Sequence, residues 1–489
     1  MEKFRLSEDI DRNKVFIVNR SELEGRIDPN FYKTVNKNIV NKIKKNNFYT
    51  LKDIVRFSSE TWDQKSIFDS EFPYIEISNI DLSDGTIKDV KLIGVKEAPS
   101  RAKMIVRKND IIISTTRPTR GAISIQKNSS IQIASTGFSV IREVNEKLFL
   151  RETLFHILRL SFVSIQMGQR SSGGNYPAIT QEELGRIVIP AISLSIQEKI
   201  NNIYNKAYTE KQQKEAEAQK LLNSIDDYLL GELGITLPKE EEYLPQNTDK
   251  NSSYKLDNDN PLVKKGRLFL TNLSEVTGKR IDPDYNSKMT YLFSNKGFYN
   301  HILLKELITK QPQYGANEEA KDFENDTDIR YIRITDIDEL GDLKNNNKKT
   351  ANKVETKYFL NYNDLLFARS GSVGRCYIHK KTNEISIFAG YLIRFIVNTD
   401  ICNPDYIFYY CNSNLYKLWV SAIERPAVQS NINAEEYKSL PIPLPPLEKQ
   451  NEITTHISKI RREANVLMQQ GKEILEQAKQ EVERMILGN

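Results

Sequence analysis

The chain has 489 residues, 39% hydrophobic and 28% charged, with a mild net charge of +5. That length is too great for one ordinary core, so at least two domains are expected, and the apolar content excludes general disorder. No apolar run approaches the roughly 20 residues of a membrane span, and the charged start MEKFRLSEDIDRNK lacks a signal peptide's apolar core.

In chain order, the first elements are residues 15–23 (VFIVNRSEL) and an Arg26-Ile27-Asp28-Pro29 turn or helix start. Alternations such as Tyr74-Ile75-Glu76-Ile77, punctuated by Gly, Asn and Asp, predict short strands and turns with helices interspersed. A long helix is predicted from near Ser195 to about Leu230, before Gly231 and Gly234. Its apolar residues Ile196, Ile200, Ile203, Ala207, Ala218, Leu221, Ile225 and Tyr228 step by threes and fours, as a coiled-coil seam does. Residues 236–265, polar and rich in Asn and Asp, read as a flexible linker.

After the linker the pattern starts again. LFLTNLSEV at 268–276 matches VFIVNRSEL at an offset of 253, and Arg280-Ile281-Asp282-Pro283 matches Arg26 to Pro29 at 254. RYIRITDID at 330–338 matches PYIEISNID at 257, and Asn363-Asp364 matches Asn109-Asp110 at 254. Gly137-Phe138 pairs with Gly390-Tyr391, Ile179 with Ile432, Ile189-Pro190 with Ile442-Pro443 and Gln197 with Gln450, all at 253. A period this long means two copies of a whole domain and not a solenoid of 20–50-residue repeats. A second long helix follows Pro445-Pro446 to about Ile486, with Ile453, Ile457, Ile460, Ala464, Leu467, Ile474, Ala478, Val482 and Met485 as its seam. Neither seam has enough neighbours in its own half to be buried, so the helices are expected to bury them against each other. The expected class is α+β: two duplicated mixed α/β domains (1–193 and 266–445), each followed by a long helix (194–235 and 446–489), the helices pairing as an antiparallel coiled coil.

The two domain–helix junctions carry a resemblance. The second, AVQSNINAEEYKSLPIPLPPLEKQNEI (427–453), resembles the specificity subunits of type I restriction–modification systems closely through IPLPPLEKQ. The first, GGNYPAITQEELGRIVIPAISLSIQEKI (173–200), keeps Ile189, Pro190, Leu194 and Gln197 but lacks the double proline and the acidic residue before Gln. The stretch around ARSGSVGR (368–375) is also similar to that family, and the likeness covers nearly the whole chain. It implies that each domain is a target recognition domain reading one half of a bipartite double-stranded DNA site. It further implies that the paired helices hold the two domains apart and dock two adenine methyltransferase subunits, with room for motor–nuclease subunits. On that reading a helix of about 36 residues, roughly 54 Å long, compares with one to two turns of B-DNA, and lengthening it changes the unread gap. The chain itself would carry no catalytic centre and no cofactor, and would work in the cytoplasm.

DNA contacts need Arg, Lys and hydrogen-bonding loops for phosphates and side chains that reach base edges. In the first copy the candidates are Arg117 and Arg120 in TTRPTRGA, and Arg170, Ser171, Ser172 and Asn175 in QRSSGGN. In the second they are Arg369, Ser370 and Arg375 in ARSGSVGR, with Arg425, Gln429, Ser430 and Asn431 in ERPAVQSNIN. Lys344, Lys348 and Lys349 in KNNNKK complete the set. Taken singly each is more often a solvated surface residue than a base contact; loops at equivalent places in both copies make the stronger case. Gly121 and Gly374 are expected to serve turn geometry.

Catalytic motifs are sparse. Asp28, Asp282 and Asn403 each open a D/N-P-x-F/Y sequence that lacks the second proline of an adenine methyltransferase loop, and no Gly-rich cofactor loop accompanies them. No GxxxxGK[ST] is present, so this is not an ATP-driven motor. Cys376, Cys402 and Cys411 form no CxxC, and His156, His301, His379 and His456 no metal-spaced cluster. The alternative to a non-catalytic reader is a self-sufficient metal-dependent DNA endonuclease, built on Glu355-Thr356-Lys357 downstream of Asp336, Asp338 and Asp342.

Overall fold

A computed structural model describes residues 6–7, 10–11, 14–24, 27–174, 176–237, 280, 283–294, 297–323, 325, 327–344, 348–424 and 430–488. The expected linker lies outside these from residue 238 onward, as do the repeat segment 268–276 and the candidates Asn175, Arg425 and Gln429. The chain forms two compact units, 1–217 with 466–489, and 218–465. Among the described residues no helix is long and apolar enough to cross a membrane.

In the first unit Val55–Phe57, Phe138–Val144, Ile111–Ser114 and Ile123–Ile125 form a four-stranded antiparallel sheet, in that order. In the second, Gln313–Tyr314, Leu392–Phe395, Leu365–Ala368 and Cys376–Ile378 repeat the order and directions. Each unit also has one parallel pair, Glu71–Ile75 with Gln132–Ser135 and Arg330–Ile332 with Ser386–Phe388. Central strands such as Ile111-Ile112-Ile113 are buried on both faces, which is why they read as unbroken apolar runs.

The duplication extends to unusual backbone. Asn109 and Asn363 are both left-handed, with φ of 71° and 73°, a region asparagine tolerates better than most residues. The aspartate after each is buried: Asp110 accepts from the Arg107 amide and the Arg142 guanidinium, and Asp364 from the Asn361 amide and the Arg394 guanidinium. The predicted alternations are only half strand. Glu76 and Arg333 end the extended runs, and Asn79 and Asp336 accept from their amides at 2.7 and 2.9 Å, turning Ile77–Asn79 and Ile334–Asp336 into 3-10 turns. The D/N-P motifs behave as helix starts, with Pro283 opening Pro283–Ser294 and Asn403 capping Pro404–Tyr410.

The long helices run Leu194–Leu233 and Leu447–Leu487. The first passes through Gly231 and stops at Gly234, whose φ of 67° suits glycine. In the first unit Ile200, Tyr204 and Ala207 share a core with Leu475, Ala478 and Val482; in the second Leu229, Leu230 and Leu233 share one with Ile453 and Ile457. The helices therefore pack antiparallel. The seam differs in detail from the periodic reading: Leu475 is buried where Ile474 is only half-buried, and Met485 is exposed. Lys211 also occupies a buried seam position, because its ammonium meets Asp84 at 2.9 Å, both side chains being 5% exposed.

Three contacts fasten each recognition module to helix. The fully buried Gln197 accepts from the Leu150 amide at 2.7 Å and donates to the Leu148 and Ile192 carbonyls. Gln450 does the same with the Asn403 amide at 2.8 Å and the Ile401 and Pro445 carbonyls. A turn then reaches the module's own helix: Lys211 to Asp84 in the first, Arg461 to Asp342 at 2.7 Å in the second. Finally an acid on the other long helix caps a module helix, favourably placed at its N-terminus. Glu483 accepts from Ser161 and the Phe162 amide, and Asp226 from the Asn414 amide and side chain.

Two outcomes follow from these fastenings. Gln197→Ala strands one amide and two carbonyls away from water, so it should cost about 2–3 kcal/mol in urea unfolding. Gln469→Ala, on an exposed helix face, should stay within about 0.5 kcal/mol. Burial raises the Asp84 carboxyl, but hydrogen bonds from Thr86 and Lys211 outweigh it and hold it below its ordinary 3.8. A depressed carboxylate stabilises the fold above its unfolded value and loses that contribution as pH falls towards the folded one. Asp84→Asn should accordingly flatten the acid limb of stability below pH 3.8, read by thermal melts across pH.

Candidate nucleic-acid interface

In the first unit two predicted loops converge. The strand Ile111–Ser114 runs into Thr115 and Thr116, which pair with Ile179 and Ala178, and Ala178 also exchanges both backbone hydrogen bonds with Ser172 at 2.8 Å. This brings TTRPTRG beside QRSSGGN. Arg117 is left-handed (φ 48°), its amide donates to the Pro177 carbonyl, and its guanidinium lies 4.2 Å over the Tyr176 ring. Arg120 ends the short turn Pro118–Arg120 and is exposed, as is Ser172, while Ser171 is half-buried and donates to the Met167 carbonyl. Thr119, Ser171, Ser172 and Pro177 line one side of a groove of about 770 Å³ that Lys33 and Asn36 line as well.

Arg170 does not join this surface. Its side chain is buried, paired with Glu183 at 2.9 Å and Glu24 at 3.4 Å, and packed 5.4 Å from the Phe31 ring centre. A guanidinium out of water and held by two carboxylates fastens the loop from behind.

The second unit builds the corresponding place. Ser370 bridges to Asn431, and the Ile432 amide donates to the Arg369 carbonyl, as Ile179 does to Thr115. The Arg369 guanidinium lies 5.0 Å over the Tyr314 ring, and Nε points to Asn431 Oδ1 at 3.5 Å. Arg369, Ser370, Tyr391 and Asn431 enclose a recess of about 270 Å³. Ser370 is itself buried, and Ser430 is half-buried beside it in sequence. Arg375 turns back to donate to the Ile337 carbonyl at 2.7 Å, bracing a turn. Gly121 and Gly374 have φ of 75° and 82°, the turn role expected of them.

The lysines lie elsewhere on this unit. Lys344 is exposed, Lys348 pairs with Glu384 at 2.8 Å beside Phe323, and Lys349 pairs with Asp322. Among the described residues none of the three lines the Arg369 recess.

The endonuclease alternative finds no support in the geometry. Glu355 and Lys357 sit around the 3-10 turn Thr356–Tyr358 and pair with each other at 2.8 Å, where E-x-K chemistry would need them on a strand beside another carboxylate. Asp336 is engaged by Arg333 and Asp342 by Arg461, and no described group of three His, Cys, Asp or Glu is arranged to hold a metal ion. The histidines have structural settings. His156 stacks on Tyr204 at 3.9 Å, and burial, with Arg159 and Lys127 nearby, pushes it down to about 3. His379 meets the Tyr377 hydroxyl and His456 packs on Tyr228. Cys376, Cys402 and Cys411 are free and buried.

Two copies of one module, each fastened to a long helix and each presenting an arginine, a tyrosine and amide or hydroxyl groups on converging loops, define a two-headed recognition protein. The family model described as "Type I restriction modification DNA specificity domain" matches residues 12–221 and 299–477. The chain belongs to that family. It is 24% identical over 196 residues to the type I restriction enzyme EcoBI specificity subunit of Escherichia coli, and 28% over 158 residues to the HindI specificity subunit of Haemophilus influenzae. Those stretches cover 38% and 32% of this chain, and 41% and 33% of the relatives. Solved structures of the HsdS subunit of Thermoanaerobacter tengcongensis (20% identity, TM-score 0.35) and of the S subunit of M. genitalium (9%, TM-score 0.37) each align over 90% of this chain and 96% of theirs.

The tyrosines Tyr176, Tyr314 and Tyr391 were not singled out by sequence. Only Tyr176 carried a signal, as an aromatic residue inside the Gly-rich GGNYP loop. The contrast between Arg170 and Arg120 is measurable. Arg170→Ala should lower stability by about 2–3 kcal/mol in denaturant titrations, and Arg120→Ala should leave it within about 0.5 kcal/mol.

Proposed function

We propose that the chain is the DNA-reading subunit of a type I restriction–modification complex. The recognition modules are residues 1–193 and 266–445, the long helices 194–235 and 446–489, and the segment between them a linker. Each module reads one half of a bipartite site on double-stranded DNA. The helix pair docks two adenine methyltransferase subunits, and motor–nuclease subunits join where the system also cuts. The chain supplies no catalytic group and works in the cytoplasm beside its partners. The observation that carries this reading is the duplication of a family-matched DNA specificity domain, with a polar, arginine-bearing loop cluster at the same place in each copy. Two modules joined by rigid elements suit a target of two short sequences around a fixed gap.

The test is a map of N6-methyladenine across host DNA with and without the gene. Methylation of one split motif should vanish with the gene and return with it. A map that does not change in any motif would contradict the reading.

A further inference from the structure

The loop clusters hold the same chemistry from non-equivalent residues. The strand registers Ser114 to Phe138 and Ala368 to Leu392 align the two copies, and the bridges Thr116 to Ala178 and Ser370 to Asn431 extend that alignment outward. Thr115 then corresponds to Arg369, and Arg117 to Gly371. Gly371 has a φ of 76°, and Arg117 stands at 48° in the same left-handed region. Glycine adopts that conformation freely, whereas a residue with a Cβ is strained in it. The first copy thus keeps an arginine where the fold suits glycine, and strain of this kind persists where a side chain serves a purpose.

That side chain does little for the interior. Tyr176, on which it stacks, is 66% exposed. The loop that carries Tyr176 is nevertheless held firmly at its base by the paired Ser172 and Ala178 and by the Arg117 amide on Pro177. In the second copy the arginine comes from the preceding strand end, stacks on Tyr314, and borders a recess with the 61%-exposed Tyr391. A guanidinium held flat against an aromatic face is pre-oriented, with its forked donors left to point along the ring plane. That geometry matches the two acceptors a guanine presents in the major groove.

We propose that the Arg117–Tyr176 and Arg369–Tyr314 stacks are the specificity-determining base readers of the two halves, each selecting one G·C pair. This rests on the DNA-reading function above and assigns it to particular side chains. The frame being shared and the readers being displaced by two positions, the two halves read different sequences.

The experiment is the methylation map of cells carrying the full complex with Arg117→Gly or Arg369→Thr, each the residue of the other copy, alongside thermal melts of the purified variants. Arg117→Gly should melt at or above the parent temperature, since glycine relieves the left-handed strain. It should also relax the motif at one G·C position of one half by at least about tenfold in relative methylation. Arg369→Thr should relax one G·C position of the other half only. An unchanged motif, a lower melting temperature for Arg117→Gly, or an even decline at all sites would overturn the assignment, the last because it marks a phosphate anchor. The underlying function fails separately, if the parent chain itself directs no split motif.

Discussion

Both halves of this protein depend on one buried side-chain amide. Where a module gives way to its helix, Gln197 or Gln450 satisfies a backbone amide and two carbonyls that are otherwise shut away from water. Buried polar groups left unpaired are costly, so the helix can leave the module in only one way. The salt bridge from the turn and the acid from the opposite helix then fasten two more points. This explains why the junctions tolerate different surroundings. IPAISLSIQ lacks the double proline of IPLPPLEKQ, yet the helices begin at the corresponding Leu194 and Leu447.

Fixed frames and variable loops divide the labour within each copy. The left-handed asparagine, the buried aspartate–arginine pair and the strand order recur in both. What differs is what the loops display: threonine against arginine at one position, arginine against glycine two residues later. A rigid scaffold under exchangeable loops is how binding sites are usually held. It lets two halves of common origin recognise different partners without altering how either is attached.

Much of this was legible in the sequence because duplication leaves a fixed offset, which does not depend on guessing any element correctly. The long helices were readable for a similar reason, their seams repeating over ten turns. Finer burial was not. Lys211 lies inside the seam because a carboxylate 127 positions away neutralises it, and no hydropathy pattern sees such a partner. Arg170 has the sequence setting of a DNA-facing loop residue, and only the fold reveals Glu24 and Glu183 around it. Glu355 and Lys357 had catalytic spacing, but their meaning depended on a strand that the chain does not form there. The tyrosines that orient the arginines were invisible because Tyr314 reaches Arg369 across 55 residues of intervening chain.

The most direct test of two modules reading two half-sites is equilibrium binding of the assembled complex to short duplexes at one salt concentration. One duplex carries the whole split motif, and two others have one half or the other scrambled. Scrambling either half should weaken binding by at least about 100-fold. Affinity that survives the loss of one half unchanged would show that a single module does the reading, and the account would be wrong.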